Sequence, residues 1–327
     1  MILLLGASGM LGHNVLKLLL KQGHDVKCII REGATIDPEV LACASPGQLK
    51  LVRGSILDKQ LLMDNLWGCY TVINCAGITD MRLGSLDEYR PVNTDFPVGL
   101  ARMHWETGGR SLITVSTANT VDPGNEDSPS DENTAFGGPF SASWYARSKW
   151  EGEKALLSFA ESHQRLRIAI ILPGFIIGPY DRKPSSGKLL MAAYRKPLMA
   201  APPGGKSFVD ARDVAAAIVG AINNPDARGR YLATGTSMSL KDFYALQARV
   251  CGYKQVFVPL PRELCRMAGR LGDKLEQKGR STMVVTRNVK QLMVGEWYDD
   301  SRARAELGMP RTPLEQSIKD FFAYVRK

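Results

Sequence analysis

The stretch Gly6-Ala7-Ser8-Gly9-Met10-Leu11-Gly12 constrains this chain of 327 residues more than any other. It follows Ile2-Leu3-Leu4-Leu5, a short apolar run of strand type. It opens a segment in which Leu11, Val15, Leu18 and Leu19 recur at helical spacing, with Gly23 as its C-terminal cap. A strand, a glycine turn and a helix in that order make a site for the pyrophosphate of a dinucleotide. Glycines allow the tight turn and a close backbone approach, and the helix N-terminus offers free N–H groups and the positive end of its dipole. The spacing G-x-x-G-x-x-G is one residue longer than G-x-G-x-x-G, and glycines so spaced also occur in ordinary turns. The position directly after the first strand favours the dinucleotide site, to which Ser8, Met10 and Leu11 are assigned with Gly6, Gly9 and Gly12.

Asp25 to Ile30 reads as a second strand, closed by Arg31. At this strand end an acidic residue holds the adenosine ribose hydroxyls, whereas an arginine accommodates a 2′-phosphate. A solvated Arg31 paired with Glu32 is the other reading. Because the glycine turn fixes where the ribose lies, Arg31 is assigned to the phosphate; NADP(H) is the expected cofactor and NAD(H) the alternative. Leu49 to Arg53 reads as the third strand, with Asp58 beyond it as N-cap of a helix through Leu61, Leu62 and Leu66. A fourth strand, Tyr70 to Asn74, runs into Cys75-Ala76-Gly77, small residues that either let a cofactor pass close or mark an ordinary turn. A helix from Asp87 to Thr107 carries Asn93; Ser111 to Val115 is a fifth strand, followed by Ser116-Thr117. Asp122 to Gly138 is a long polar loop of a kind that is functional or mobile. Ser141 to Ser162 reads as a helix containing Tyr145 and Lys149, and Arg167 to Leu172 as a sixth strand stopped by Pro173-Gly174.

Six strands alternating with helices predict an α/β fold, a doubly wound parallel sheet covered on both faces. Its ligands lie at the carboxyl ends of the strands, where Thr117 and Pro173 fall. Beyond Pro173 the pattern loosens: Pro179, Pro184, Pro197, Pro202 and Pro203, with Gly204-Gly205, indicate irregular chain. Helices are expected over Asp210 to Asn223 and Ser239 to Cys251, and a late strand over Arg228 to Ala233. Residues 1–172, with 207–235 returning to them, are expected to form an NAD(P)-binding Rossmann domain; 173–206 and 236–327 are expected to form a smaller substrate-binding lobe. From Pro261 to Lys278, Leu264, Met267, Leu271 and Leu275 make an apolar stripe, while Arg262, Arg266, Arg270, Lys274 and Lys278 recur every fourth residue. A basic amphipathic helix lies on a membrane or meets an acidic ligand, or it packs on the core with a solvated face. The packed helix is the expectation here.

Composition excludes several classes. No apolar run approaches the ~18 residues that span a bilayer, and the N-terminus lacks the basic region and long apolar run of a signal peptide, so a cytoplasmic location is expected. None of the six cysteines forms a C-x-x-C pair, and the four histidines are scattered, so no metal site and no disulfide are predicted. A net charge of +9 without an aromatic-interleaved basic cluster gives no expectation of a nucleic-acid partner.

Tyr145-Ala146-Arg147-Ser148-Lys149 carries the chemistry. Positions i and i+4 share a helix face, so the phenol and the ammonium can enter one site. A tyrosine has a pKa near 10, and a nearby cation favours the phenolate, bringing it toward the range useful for proton transfer.

With this string the chain resembles the extended short-chain dehydrogenase/reductases over nearly its full length. The resemblance rests on Gly6, Gly9 and Gly12, Asp58, Cys75-Ala76-Gly77, Asn93, Ser116-Thr117, Tyr145 with Lys149, Pro173 and Phe208-Val209-Asp210-Ala211-Arg212-Asp213-Val214-Ala215. It implies Tyr145 as general acid/base, Lys149 as the ligand of the nicotinamide ribose that also lowers the tyrosine pKa, and Thr117 as hydrogen-bond partner of the substrate oxygen. It also implies that Leu57 and Asp58 lie against the cofactor, Asp58 holding the adenine, and that Ala76, Gly77 and Pro173 border it. Ser116 is the alternative to Thr117, since relatives have serine there. A homodimer through the helices carrying Asn93 and Tyr145 is a further implication.

Ser116-Thr117-Ala118-Asn119-Thr120-Val121 and Pro173-Gly174-Phe175-Ile176-Ile177-Gly178-Pro179 are similar to the dihydroflavonol reductase, 3β-hydroxysteroid dehydrogenase and aldehyde reductase branch. Ala118 and Asn119 stand where related dehydratases have an Asp-Glu pair. Leu172-Pro173-Gly174-Phe175 replaces the Arg-Tyr-Phe-Asn of epimerases. The expected activity is NADP(H)-dependent interconversion of a small-molecule carbonyl and an alcohol, with Phe175, Ile176 and Ile177 lining an apolar pocket. The alternatives are a nucleotide-sugar epimerase holding NAD tightly, and a non-catalytic cofactor sensor.

Overall fold

The computed structural model describes residues 1–182, 186–280 and 282–326; Pro184, expected in irregular chain, lies outside the described residues. The chain runs β1 (Ile2–Leu5), α1 (Met10–Lys21), β2 (Val26–Ile30), α2 (Pro38–Leu41), β3 (Leu49–Arg53), α3 (Lys59–Leu66) and β4 (Thr71–Asn74). It continues through α4 (Phe96–Glu106), β5 (Ser111–Val115), α5 (Trp144–Ser162), β6 (Arg167–Pro173), β7 (Phe175–Ile177), α6 (Gly187–Ala193), β8 (Leu198–Ala201) and β9 (Gly205–Asp210). Then come α7 (Ala211–Asn223), β10 (Gly229–Ala233), β11 (Thr236–Ser239), α8 (Leu240–Val250), β12 (Val256–Pro259) and α9 (Arg262–Gln277). The last helices are α10 (Thr286–Gln291), α11 (Ser301–Leu307) and α12 (Leu314–Val325).

Seven strands stand in the order β10-β6-β5-β4-β1-β2-β3, and every neighbouring pair is parallel. This is the doubly wound sheet expected from the sequence. Side-chain alternation shows why β1 is apolar throughout: Ile2 and Leu4 pack in the core beneath α1 and α7, Leu3 and Leu5 in the core beneath α3, α4 and α5. The strand order reverses between β1 and β4, where Leu5 lies beside Asn74. That reversal opens a crevice at the carboxyl ends of both strands.

The helix expected from Asp87 is broken. Pro91–Asp95 forms a π-helical turn and α4 begins at Phe96. Asn93 sits in that turn, its side chain accepting from the Ile78 amide (2.9 Å) and donating to the Ile78 carbonyl (3.0 Å). The wide turn thereby aims Asn93 at the strand-end loop.

The loop between Asp122 and Gly138 is fastened to the edge of the sheet. The Glu132 carboxylate accepts the Leu232 amide of β10 at 2.8 Å, and Arg302 donates to the Arg230 carbonyl at 2.9 Å. Within 207–235, α7 and β10 pack with the main sheet, while β9 at its start joins a second sheet of order β11-β9-β7. Phe175, Ile176 and Ile177, expected to line a pocket, are the strand β7 of that sheet. Ile177 is buried in a core with Phe208 and Phe243, Phe175 packs edge-on against Phe208, and Ile176 packs against the main core.

Helix α9 reverses the sequence expectation. Its buried residues are Cys265, Gly269 and Gly272, while Leu264, Met267 and Leu271 of the apolar stripe are left in the open and Leu275 is half-buried. A Cβ at Gly272 would stand 1.4 Å from the Val284 oxygen, and one at Gly269 would stand 3.0 Å from the Thr286 Cα. The helix thus seats its smallest side chains on the segment leading into α10, and its leucines cannot reach that contact.

Candidate active site

The glycine turn lies at the carboxyl end of β1, in the crevice. Gly6 has φ +78°, and a Cβ there would come within 2.6 Å of the Ala76 nitrogen at the exit of β4. A Cβ at Gly12 would come within 2.0 Å of the Gly6 oxygen. The chain itself therefore requires both glycines. Gly9 is different: a Cβ would meet only the Gly6 oxygen at an ordinary 3.5 Å, so the outer side of the turn stays open. Gly9 is the N-cap of α1, and no side chain caps the amides of the first turn. Ser8 and Met10 are partly exposed beside it, and Leu11 is anchored in the core below. An open turn bordered by free amides fits a dinucleotide pyrophosphate.

Around the turn, Arg31 is exposed just past β2, and among the described residues its guanidinium makes no ion pair, with Glu32 or any other carboxylate. Leu57 is exposed at the exit of β3, and Asp58 caps α3 by accepting the Leu61 amide at 3.1 Å. On the β4 side, the Ala76 amide donates to Asn74, and Gly77 precedes the Ile78 peptide clamped by Asn93. Pro173 ends β6 opposite Ala233 of β10.

Helix α5 starts at a Ser143 cap that accepts the Ala146 amide, which directs its first turn toward the end of β5. The Thr117 hydroxyl stands beside the Tyr145 phenol there and favours its ionised form. One turn on, Lys149 donates to the Val115 carbonyl at 3.0 Å, and its Nζ stands 2.9 Å from where a Cβ of Gly77 would be. The structure thus gathers Thr117, Tyr145, Lys149 and Gly77 at one place. Tyr89 is buried beside them, its ring 6.3 Å from that of Tyr145.

Burial pushes the Tyr145 phenol up to about 12, with the Glu153 charge acting in the same direction and the Thr117 hydroxyl opposing. Burial also pulls the Lys149 ammonium down to about 8, against the attraction of Glu153. Lys149 is not among the groups that act on the phenol in this arrangement. The ammonium is committed to a backbone carbonyl, and desolvation governs the phenol.

Ser116 is accounted for separately: its hydroxyl donates to Glu153, leaving Thr117 as the hydroxyl beside Tyr145. Glu153 also receives Arg230 at 2.9 Å, and burial holds its pKa up while Arg230 opposes. The sequence reading missed Glu153, although it continues the i, i+4 face of Tyr145 and Lys149. It missed Gly152 as well, where a Cβ would stand 2.5 Å from the Asn93 oxygen; that gap lets α5 approach the π-helical turn.

A parallel sheet reversing at a glycine turn, with a tyrosine and a lysine one turn apart at the neighbouring strand ends, is the arrangement of the extended short-chain dehydrogenase/reductases. The chain belongs to the NAD dependent epimerase/dehydratase family, whose model matches residues 2–233. It is 26% identical to sterol demethylase protein B of Methylococcus capsulatus, across 99% of this chain and 98% of that one. It is 23% identical to the 4-hydroxy-2-methyl-3-oxo-4-farnesyl-3,4-dihydroquinoline-1-oxide ketoreductase of Stigmatella aurantiaca, across 93% and 90% respectively. The crystal structure of gox2253 has the same fold, with TM-score 0.82 at 22% identity over 99% of this chain and 97% of that one. No helix among the described residues is long and apolar enough to cross a membrane.

Proposed function

We propose that the protein interconverts an apolar ketone or aldehyde and its alcohol, with NADP(H) as the preferred dinucleotide. The observation behind this is the grouping of the Tyr145 phenol and the Thr117 hydroxyl at the end of β5, with the Lys149 ammonium one turn away over Gly77. The nicotinamide supplies or accepts the hydride. Tyr145, neutral at physiological pH, gives its proton to the substrate oxygen while Thr117 holds that oxygen in place. Lys149 binds the nicotinamide ribose and keeps positive charge beside the developing alkoxide.

In this reading, the turn of Gly6, Ser8, Gly9, Met10, Leu11 and Gly12 takes the pyrophosphate. Leu57 and Asp58 meet the adenine, and Ala76, Gly77 and Pro173 border the nicotinamide half. Arg31, without an ion pair among the described residues, takes the 2′-phosphate. Residues 1–172 with 207–235 form the cofactor half, and 173–206 with 236–327 form the substrate side. Two copies pair through α4 and α5. The names of the two curated relatives, one a sterol protein and one a ketoreductase of a farnesylated ring, support a large apolar carbonyl compound.

The test is a panel of steroid, flavonoid and aliphatic carbonyls with NADPH and with NADH, followed by absorbance of the reduced cofactor. Net NADPH consumption with an apolar carbonyl by protein purified free of nucleotide is expected. Tightly held NAD together with interconversion of UDP-sugars, without net redox change, would overturn the reading.

A further inference from the structure

Helix α9 presents to the outside the face that a packed helix would hide. Leu264, Met267 and Leu271 are 53%, 62% and 61% exposed, although they share one stripe. Met283 and Val284, on the segment seated against Gly272, are exposed as well. The 16 residues of α9 make a rod about 24 Å long, its inward side made of Cys265, Gly269 and Gly272.

The charges of this helix are not balanced on its surface. Its three carboxylates are engaged locally: Glu263 with Arg266, Asp273 with Thr286, and Glu276 with Arg287 of α10. Arg262, Arg270 and Lys274 make no ion pair among the described residues, nor do Lys278 and Arg280 just beyond the helix. Helical geometry puts Arg270 and Lys274 along one flank of the apolar stripe. A second copy of the chain seated on this face would bring the same cations against each other. An apolar stripe bordered by unpaired cations matches instead a surface that is negative outside and apolar beneath.

We propose that α9 docks the protein on an anionic lipid surface, with Leu264, Met267 and Leu271 entering the headgroup layer and Arg270 and Lys274 meeting lipid phosphates. The helix is tied through α10 to the loop that leaves Gly77. Arg287 joins Glu276 to the Leu83 carbonyl at 3.2 Å, and Asn288 reaches the Met81 carbonyl at 3.1 Å, both on the loop that leaves Gly77. Docking therefore fixes the orientation of that loop toward the lipid.

The experiment is co-sedimentation of the full chain with vesicles of phosphatidylcholine alone and of phosphatidylcholine with phosphatidylglycerol, at low and high salt. Binding to the phosphatidylglycerol vesicles, weakened by salt and absent on phosphatidylcholine, is expected. Substituting Leu264→Ser, Met267→Ser and Leu271→Ser together should lower partitioning at least about tenfold, because these side chains supply the apolar insertion. Arg270→Ala with Lys274→Ala, which leaves the stripe intact, should lower it as well and flatten the salt dependence. Unchanged thermal melting serves as the check on folding for both variants. No binding to phosphatidylglycerol vesicles at low salt would overturn the proposal, and so would binding that survives the triple substitution, which would reflect only the net charge. A dimer that falls apart on the triple substitution, with no vesicle binding, would assign the face to a second copy and also overturn it.

Discussion

Tyr145 and Lys149 lie one turn apart on α5 but address different groups: the phenol stands beside the Thr117 hydroxyl, and the ammonium donates to the Val115 carbonyl at 3.0 Å. The proton donor and the charge that supports it are therefore held by separate atoms of the same strand end, β5. Removing the proton should leave the rest standing. Tyr145→Phe is expected to lose ~100- to 10,000-fold in turnover while binding NADPH nearly as tightly, measured by stopped-time assays and by fluorescence titration. A rate above a tenth of wild type would remove Tyr145 from that role.

Arg31 makes no ion pair with a carboxylate among the described residues. Contact with a 2′-phosphate is worth roughly 1.5–3 kcal/mol, about ten- to a hundredfold in affinity. Arg31→Asp is expected to weaken NADPH by that factor and to hold NADH as well as before or better. Equal NADPH affinity in the two proteins would sink the assignment.

Gly9 and Gly12 separate binding from folding. A Cβ at position 12 collides with the Gly6 carbonyl, so Gly12→Ala should cost about 1–3 kcal/mol or more and lower the melting temperature. At position 9 the fold has room. Gly9→Ala should melt close to wild type yet bind cofactor more weakly, because the added methyl fills the open side of the turn. Isothermal titration and a thermal melt on the same samples check both halves.

The pH profile follows from the lysine. With its pKa near 8, Lys149 loses its charge just above neutral pH, so kcat/KM for carbonyl reduction should fall above about pH 8. Glu153 raises that pKa, and Glu153→Gln should therefore move the alkaline limb to lower pH. A limb that stays in place would mean that Lys149 does not set it.

The main sheet was legible because strands buried on both faces leave continuous apolar runs, as at Ile2–Leu5 and Ile168–Leu172. The glycine turn was legible because Gly6 and Gly12 answer to local clashes. Strand β9 was not: its partners are β7 and β11, far along the chain in either direction, and its own Gly204-Gly205 start looks like a loop. Periodicity revealed the stripe on α9 but could not say which side faces inward, since the contact is made by two glycines that carry no hydrophobic signal. The electrostatics of Tyr145 depend on burial and on where Lys149 finds an acceptor, and neither is written in the i, i+4 spacing.

Strand β10 forms one edge of the main sheet. Two of its outward groups are already taken, the Leu232 amide by Glu132 and the Arg230 carbonyl by Arg302. A bare edge of this kind is a template on which another molecule's strand can register and grow. Here two side chains, one acidic and one basic, occupy the two hydrogen-bonding positions that such growth would use first. On this side the sheet stops at β10 because these two positions are already filled, and a neighbouring molecule finds them closed to pairing.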